Sequence, residues 1–447
     1  MTGLSFLYVA LPVAMAVYLL FPPFLRAGAL LGVSLLYFLL VSPLFALCMI
    51  GVAAMDLAAL EIMGRAEDNP RVTKLCLAFS LVKNLGCILF GSVLFQGILR
   101  GALAGPETLL GLYVVTLSGM SCVLEAYRKR IPGAGNWVHF ALYCFYFPRL
   151  AAGPLVSYRN FASKLEAPNP SLTEVAQGLG MFIQGAVKFM ILGQSLQIFY
   201  GSLRVIPHGD VSVVGVWVTV LVLALSVYYR FSGCADMARG MGRMMGIPLP
   251  VNFRYPYQAR SVTDFFGRFN ASLTRYVGRA LGSRFTESSD LKTSALGILI
   301  IGASAGLWFG VSAGRVAWGI YLGLFLIMER YLYSGLFKAV PAMVGRFYTL
   351  LVLLFGFALF DAASAAQAVQ TLTRMLGFGN LPLWSELLGY LLDSNRVLLI
   401  ISVFFATSAT RRLLSLLRRR TSTPTAYNLL SAVINLLLLA LLSAFLI

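Results

Sequence analysis

Long apolar runs, broken at short intervals by prolines, glycines and basic residues, fill most of this chain. A helix needs roughly 20 mostly apolar residues to cross the hydrocarbon core of a bilayer. Read at that length, the runs predict helices at 4–22, 27–41, 44–63, 75–97, 107–127, 174–200, 212–229, 293–313, 316–333, 347–363, 397–410 and 427–447. The expected fold is an all-α polytopic membrane protein with about 11–12 transmembrane helices. Pro43 separates the second run from the third. The stretch 138–156 is apolar but carries Pro148, Arg149, Gly153 and Pro154. It reads as a broken or re-entrant element, 138–164 in full, because non-helical backbone at membrane depth must be covered by protein or line a cavity. The first run has neither a basic leader nor a small-residue cleavage site, so it reads as a retained helix. No internal repeat or low-complexity tail is visible, and 1–447 reads as a single membrane domain.

One segment departs from the apolar pattern. Residues 230–292 hold ten Arg and Lys (Arg230, Arg239, Arg243, Arg254, Arg260, Arg268, Arg275, Arg279, Arg284 and Lys292) against four acids. Aromatics are threaded between them: Phe253, Tyr255, Tyr257, Phe265, Phe266, Phe269 and Tyr276. Polar groups facing lipid cost several kcal/mol each, so such a segment belongs at an interface or a cavity. Within it, Thr263 and Asp264 offer a helix start. Phe265, Phe269 and Leu273 then recur at i, i+4 and i+8, as on one amphipathic helix.

Composition narrows the class. Hydrophobic residues make up 59% of the chain and charged residues 12%, with a mean hydropathy of +0.82. Soluble domains carry about 25% charged residues. The formal net charge of +18 is concentrated in short loops. Arg65, Arg71 and Lys74 form one cluster, Arg128 to Arg130 a second, and Arg411, Arg412 and Arg418 to Arg420 a third. By the positive-inside rule these loops are cytoplasmic, which places both termini outside and 230–292 on the cytosolic side. The loops 202–211 and 365–395 then face outward. A basic balance of this kind matches anionic membrane lipid and not nucleic acid. The six cysteines are scattered, without metal-ligand spacing, and read as small buried hydrophobes. The two histidines, His139 and His208, read as structural or surface residues.

Two further patterns carry candidate chemistry. The first is Tyr143-Cys-Phe-Tyr-Phe-Pro-Arg-Leu-Ala-Ala-Gly-Pro-Leu-Val-Ser-Tyr-Arg159. The second runs through Phe231-Ser-Gly-Cys-Ala-Asp-Met-Ala-Arg-Gly240, Asn252-Phe-Arg-Tyr-Pro-Tyr257 and Ser261-Val-Thr-Asp-Phe265. With Glu125-Ala-Tyr-Arg128, Gly306-Leu-Trp-Phe-Gly310, Trp318-Gly319 and Phe355 to Phe360, these motifs resemble the membrane-bound O-acyltransferase family. The order is that of its bacterial branch, which contains alginate O-acetylase and the teichoic acid D-alanyl transferase. Several collinear motifs are far more specific than any one of them.

The resemblance implies helices around a central tunnel. A cytosolic acyl thioester such as acetyl-CoA enters from one side and a hydroxyl acceptor, on an exported polysaccharide or envelope polymer, from the other. A central histidine activates the hydroxyl, which is a poor nucleophile while protonated. It also implies tunnel positions at Tyr229, Arg230, Tyr257, Arg268, Trp308, Pro148, Arg149 and Pro154. No metal and no bound cofactor are implied.

The chain departs from that pattern where it matters. The family histidine falls at Phe309, which has no group to accept a proton. A second family position falls at Asn270. The acid that precedes Phe-Ser-Gly is Arg230, paired arginines become Gly267-Arg268, and a later acid becomes Gly278. Two readings stay open. Either the fold is kept without the chemistry, as a membrane partner of a sister acyltransferase, a polymer synthase or a periplasmic acyl-handling protein, or another base such as Asp236 or Glu125 takes over. A transporter would show paired halves with interrupted helices, and none is visible.

Overall fold

The computed structural model describes the chain except residues 1–5, 99–105, 132–134, 151–152, 167–168, 283–284, 286–289, 334–339, 421–423 and 447. Ala151 and Ala152 of the Gly-Pro motif and Arg284 of the basic segment therefore lie outside the described residues. So do the side chains of Arg418 to Arg420. The regular structure of the described residues is helical throughout. They form two compact units, Met1–Phe182 with Ala235–Pro250 and Ile183–Cys234 with Val251–Ile447.

The first unit contains α1 (Leu11–Leu20), α2 (Arg26–Val41), α3 (Pro43–Arg65), α4 (Pro70–Ile98), α5 (Pro106–Tyr127), α6 (Trp137–Phe145) and α7 (Tyr158–Leu165). The start of α3 follows from its sequence. Pro43 has the fixed φ that suits a first helical position, and Ser42 caps it by accepting from the Phe45 N–H. Helices α3, α4 and α5 pack together, with α2 and α6 against their neighbours. An ion pair lies inside this group: Lys83 Nζ is 2.7 Å from the fully buried Asp56 carboxylate. Ser80 and Asn84 donate to the same carboxylate at 2.6 and 3.1 Å, so its charge is met from three sides.

The chain passes between units within α8 (Leu172–Val187) and again within α10 (Val213–Met244). Between them a π-helical turn, Lys188–Gln194, leads into α9 (Ser195–Arg204). The second unit continues with α11 (Val262–Arg268), α12 (Ala271–Leu281), α13 (Leu291–Leu307), α14 (Ala313–Tyr331), α15 (Ala342–Phe360), α16 (Ala365–Met375), α17 (Glu386–Ser394), α18 (Arg396–Phe405), α19 (Ala409–Arg420) and α20 (Pro424–Leu446). Its most extensive packing joins α13 to α14 and α14 to α15.

Among the described residues, six helical segments are long and apolar enough to cross a bilayer: Pro43–Arg65, Pro70–Gly91, Leu172–Arg204, Val213–Met244, Ala342–Phe360 and Asn428–Leu446. The pair α17 and α18 passes the same test together, bent by 64° at Asn395. Phe6–Leu20, Arg26–Leu40, Gly111–Tyr127 and Leu291–Leu307 are apolar but shorter.

Two local expectations fail. The apolar run 212–229 does not end where the basic segment begins, because α10 continues to Met244 and carries Arg230, Asp236, Arg239 and Arg243. Small residues between those charges keep the helix intact by letting it pack closely on α8. A Cβ at Gly233 would lie 2.7 Å from the Gly185 carbonyl oxygen, and one at Gly240 would lie 2.5 Å from that of Gly178. Nor do Phe265, Phe269 and Leu273 share one helix. The cap is Ser261, which accepts from the Asp264 N–H at 3.0 Å. The helix then stops at Arg268, because Asn270 adopts a left-handed backbone (φ 50°) that tolerates asparagine better than most side chains.

Candidate functional site

Phe309 lies just past the C-terminus of α13, between Trp308 and the positive-φ Gly310. Four aromatic rings surround its own. Their centroids lie 4.5 Å (Phe231), 5.4 Å (Phe360), 5.8 Å (Trp318) and 5.9 Å (Phe269) away. Three of the contacts are edge-to-face, the arrangement that aromatic quadrupoles favour. Phe357 extends the cluster, 5.8 Å from Trp318 and 5.6 Å from Phe360. Arg315 donates through Nη1 to the Phe309 carbonyl oxygen at 2.5 Å, and its guanidinium lies 5.7 Å from the Phe360 ring. The rings around Phe309 thus offer hydrocarbon and no base.

Among the buried donors of this unit that lack an acceptor among the described residues are the Trp318 indole Nε1 and the Asn270 amide Nδ2. Trp318 is 1% exposed and Asn270 3%. Asn270 directly follows Phe269 of the cluster and is held firmly. Its Oδ1 accepts from Asn252 Nδ2 at 2.9 Å, while Asn252 accepts the N–H groups of Ala271 and Ser272 at 3.0 and 2.8 Å. A buried N–H left unmatched costs more than a hydrogen bond gains. Such donors mark places where a carbonyl or hydroxyl oxygen would be welcome.

The other expected positions in this unit act as braces. Tyr229 donates to the Ser402 carbonyl and Tyr257 to the Ala224 carbonyl, both at 2.5 Å. Arg268 pairs with Asp264 at 2.6 Å. Arg230 lies with its aliphatic stem beside Gly193. Trp308 is buried. On α12, burial, with Arg254 and Arg279 close by, holds Arg275 below the ordinary guanidinium range.

Residues of the first unit form a separate group. Pro148 and Arg149 close a 3-10 turn after α6, and Pro154 is buried beyond it. Arg149 is fully buried. It donates through Nη2 to Ser118 at 2.5 Å and lies 4.6 Å from the Tyr143 ring centroid and 5.6 Å from that of Phe161. Its Nε and Nη1 have no acceptor among the described residues. Glu125 accepts from Ser121 and from the N–H groups of Tyr158 and Arg159 at 3.0, 3.0 and 3.1 Å, which makes it the N-terminal anchor of α7. Asp236 pairs with Arg239 at 3.0 Å.

Glu329 escaped the sequence reading. It is 4% exposed, and its carboxylate accepts from the Val262 and Thr263 N–H groups at 2.6 and 2.8 Å and from the Thr263 hydroxyl at 2.7 Å. It anchors α11 as Glu125 anchors α7. The only signal was an acid inside an apolar run. No group of three or more His, Cys, Asp or Glu side chains among the described residues could hold a metal ion.

The model of the membrane-bound O-acyltransferase family matches residues 108–366, more than half of the chain. The chain belongs to this family. Membrane-bound O-acyltransferase relatives include the probable alginate O-acetylase of Pseudomonas aeruginosa, 26% identical over 84% of this chain and 74% of that protein. The peptidoglycan O-acetyltransferase of Helicobacter pylori is 26% identical over 56% of this chain and 48% of its own length. The teichoic acid D-alanyltransferase of Bacillus subtilis is 24% identical over 47% and 56%. The chain spans about half the length of several curated relatives it matches. Membership agrees with a helical, multi-pass membrane-bound O-acyltransferase fold and with a link to acylation of polysaccharides and envelope polymers.

Proposed function

We propose that this chain is a member of a bacterial plasma-membrane acylation apparatus whose own transfer step is disabled at Phe309. The observation that carries this reading is the ring cluster around Phe309. Where the family resemblance places a proton acceptor, the Phe309 ring packs against the rings of Phe231, Phe269, Trp318 and Phe360. In this reading the unmatched donors of Asn270 and Trp318 are what remains of contacts to an oxygen-bearing substrate. Glu125 and Asp236 do not replace the base, since the first anchors a helix and the second is held by Arg239. The donor is a cytosolic acyl thioester such as acetyl-CoA, and the acceptor is a hydroxyl of an exported polymer. The working partner is a sister acyltransferase, a polymer synthase or a periplasmic acyl-handling protein.

Loss of a general base costs on the order of 10² to 10⁴ in rate. Purified protein given a labelled acyl thioester and a polymer acceptor should transfer little, and Phe309→His should raise transfer by a factor in that range. Wild-type transfer that the Phe309→His variant leaves unchanged would overturn the proposal. Phe309→Leu, which also lacks a proton acceptor, should stay as inactive as the wild type.

A further inference from the structure

A cavity of about 200 Å³ with polar and apolar lining lies in the second unit, between the ends of α9, α10, α15 and α16. A designed apolar cavity of about 150 Å³ holds a benzene ring, so this one has room for a six-membered ring with substituents. Its lining is mixed in character. Leu223, Val220 and Phe357 supply apolar surface of the kind that suits the C–H face of a sugar. Arg204, His208, Asp361 and Arg374 also line it, together with the hydrogen-bonding side chains of Thr371 and Gln367.

The charges are unbalanced. Asp361 is engaged by Arg204 at 3.0 Å and by the Tyr200 hydroxyl at 2.5 Å. Arg374 forms no ion pair with any described residue. Both arginines stand in the last turns of their helices, α9 and α16. There the helix dipole favours a cation, which accounts for each position singly but not for their meeting at one cavity with His208. The lining residue Phe357 also belongs to the ring cluster that includes Phe309, so cavity and cluster have that residue in common.

We infer that this cavity binds an anionic sugar unit, a hexose ring carrying a carboxylate, with Arg374 as its principal charge partner. Arginine presents a planar fork matched to a carboxylate, and the hydroxyl and amide groups beside it can meet ring hydroxyls. The assignment of that sugar to the acyl acceptor rests on the function proposed above. The binding itself does not.

Binding to the purified full-length protein can be measured without any acyl donor, using trigalacturonate, maltotriose and inorganic phosphate as probes. Trigalacturonate should bind saturably and more weakly at high salt, and maltotriose at least about tenfold more weakly, as for the loss of one charge-assisted hydrogen bond. Arg374→Gln should weaken trigalacturonate binding by a similar factor, while Arg374→Lys should retain part of it. Circular dichroism confirms that each variant is folded. Equal binding of maltotriose, displacement of trigalacturonate by equimolar phosphate, or a folded Arg374→Gln variant that binds like the wild type would each overturn the inference. Trigalacturonate binding by a chain whose Phe309→His variant never transfers acyl groups would keep the site and sink the proposed function. Transfer without binding would do the reverse.

Discussion

Glu329 shows how much one buried carboxylate can organise. Removing it would strand the N–H groups of Val262 and Thr263 at the start of α11, both now bonded within 2.8 Å. An unmatched buried donor costs about 1–3 kcal/mol. Glu329→Ala should therefore destabilise the protein by on the order of 2 kcal/mol or more, read as a lowered thermal midpoint in detergent. Glu329→Gln, which keeps an acceptor oxygen, should lose less. Sequence reading could not find this role, because the partners lie 66 and 67 residues away and nothing local announces them. Phe309 and Asn270 draw notice in the sequence only through the motifs that carry the family resemblance. The reason Asn270 is held in place is not legible there, since it depends on Asn252 and a left-handed backbone.

At the scale of elements, the apolar runs were readable because a bilayer demands length and hydrophobicity, and both are written locally. Their ends were less so. The continuation of α10 past Arg230 depends on tertiary packing, with Gly233 and Gly240 against α8. Filling that contact is a direct test. Gly240→Val would push on the Gly178 carbonyl and the Phe182 backbone, and overpacking of this kind typically costs about 1–3 kcal/mol. The variant should unfold at lower denaturant, whereas Gly267→Ala, with nothing near its Cβ position, should be close to neutral. The bend of α17 and α18 was equally hidden. Asn395 joins two helices where the sequence reads as a loop, 365–395, followed by an apolar span, 397–410.

For the whole molecule, charge makes the strongest forecast. The basic clusters at 65–74, 128–130 and 411–420 predict one common side for those loops. In intact cells, with the native cysteines removed, a single cysteine at Asp68 should be shielded from a membrane-impermeant maleimide. One at Gly209, in the sparsely basic loop before α10, should be labelled. Labelling of both, or the reverse pattern, would reject the orientation with both termini outside.

The π-helical turn at Lys188–Gln194 has a consequence for how this family member tolerates change. A π turn holds one residue more than the α-helix around it, so everything downstream is rotated by about 100° relative to an unbroken helix. Tyr200 and Arg204 face Asp361 only in that phase. Losing a single residue here would leave a smoother, equally apolar helix, yet would turn both side chains out of register with α15. The cavity thus depends on the count of residues in a segment none of which lines it.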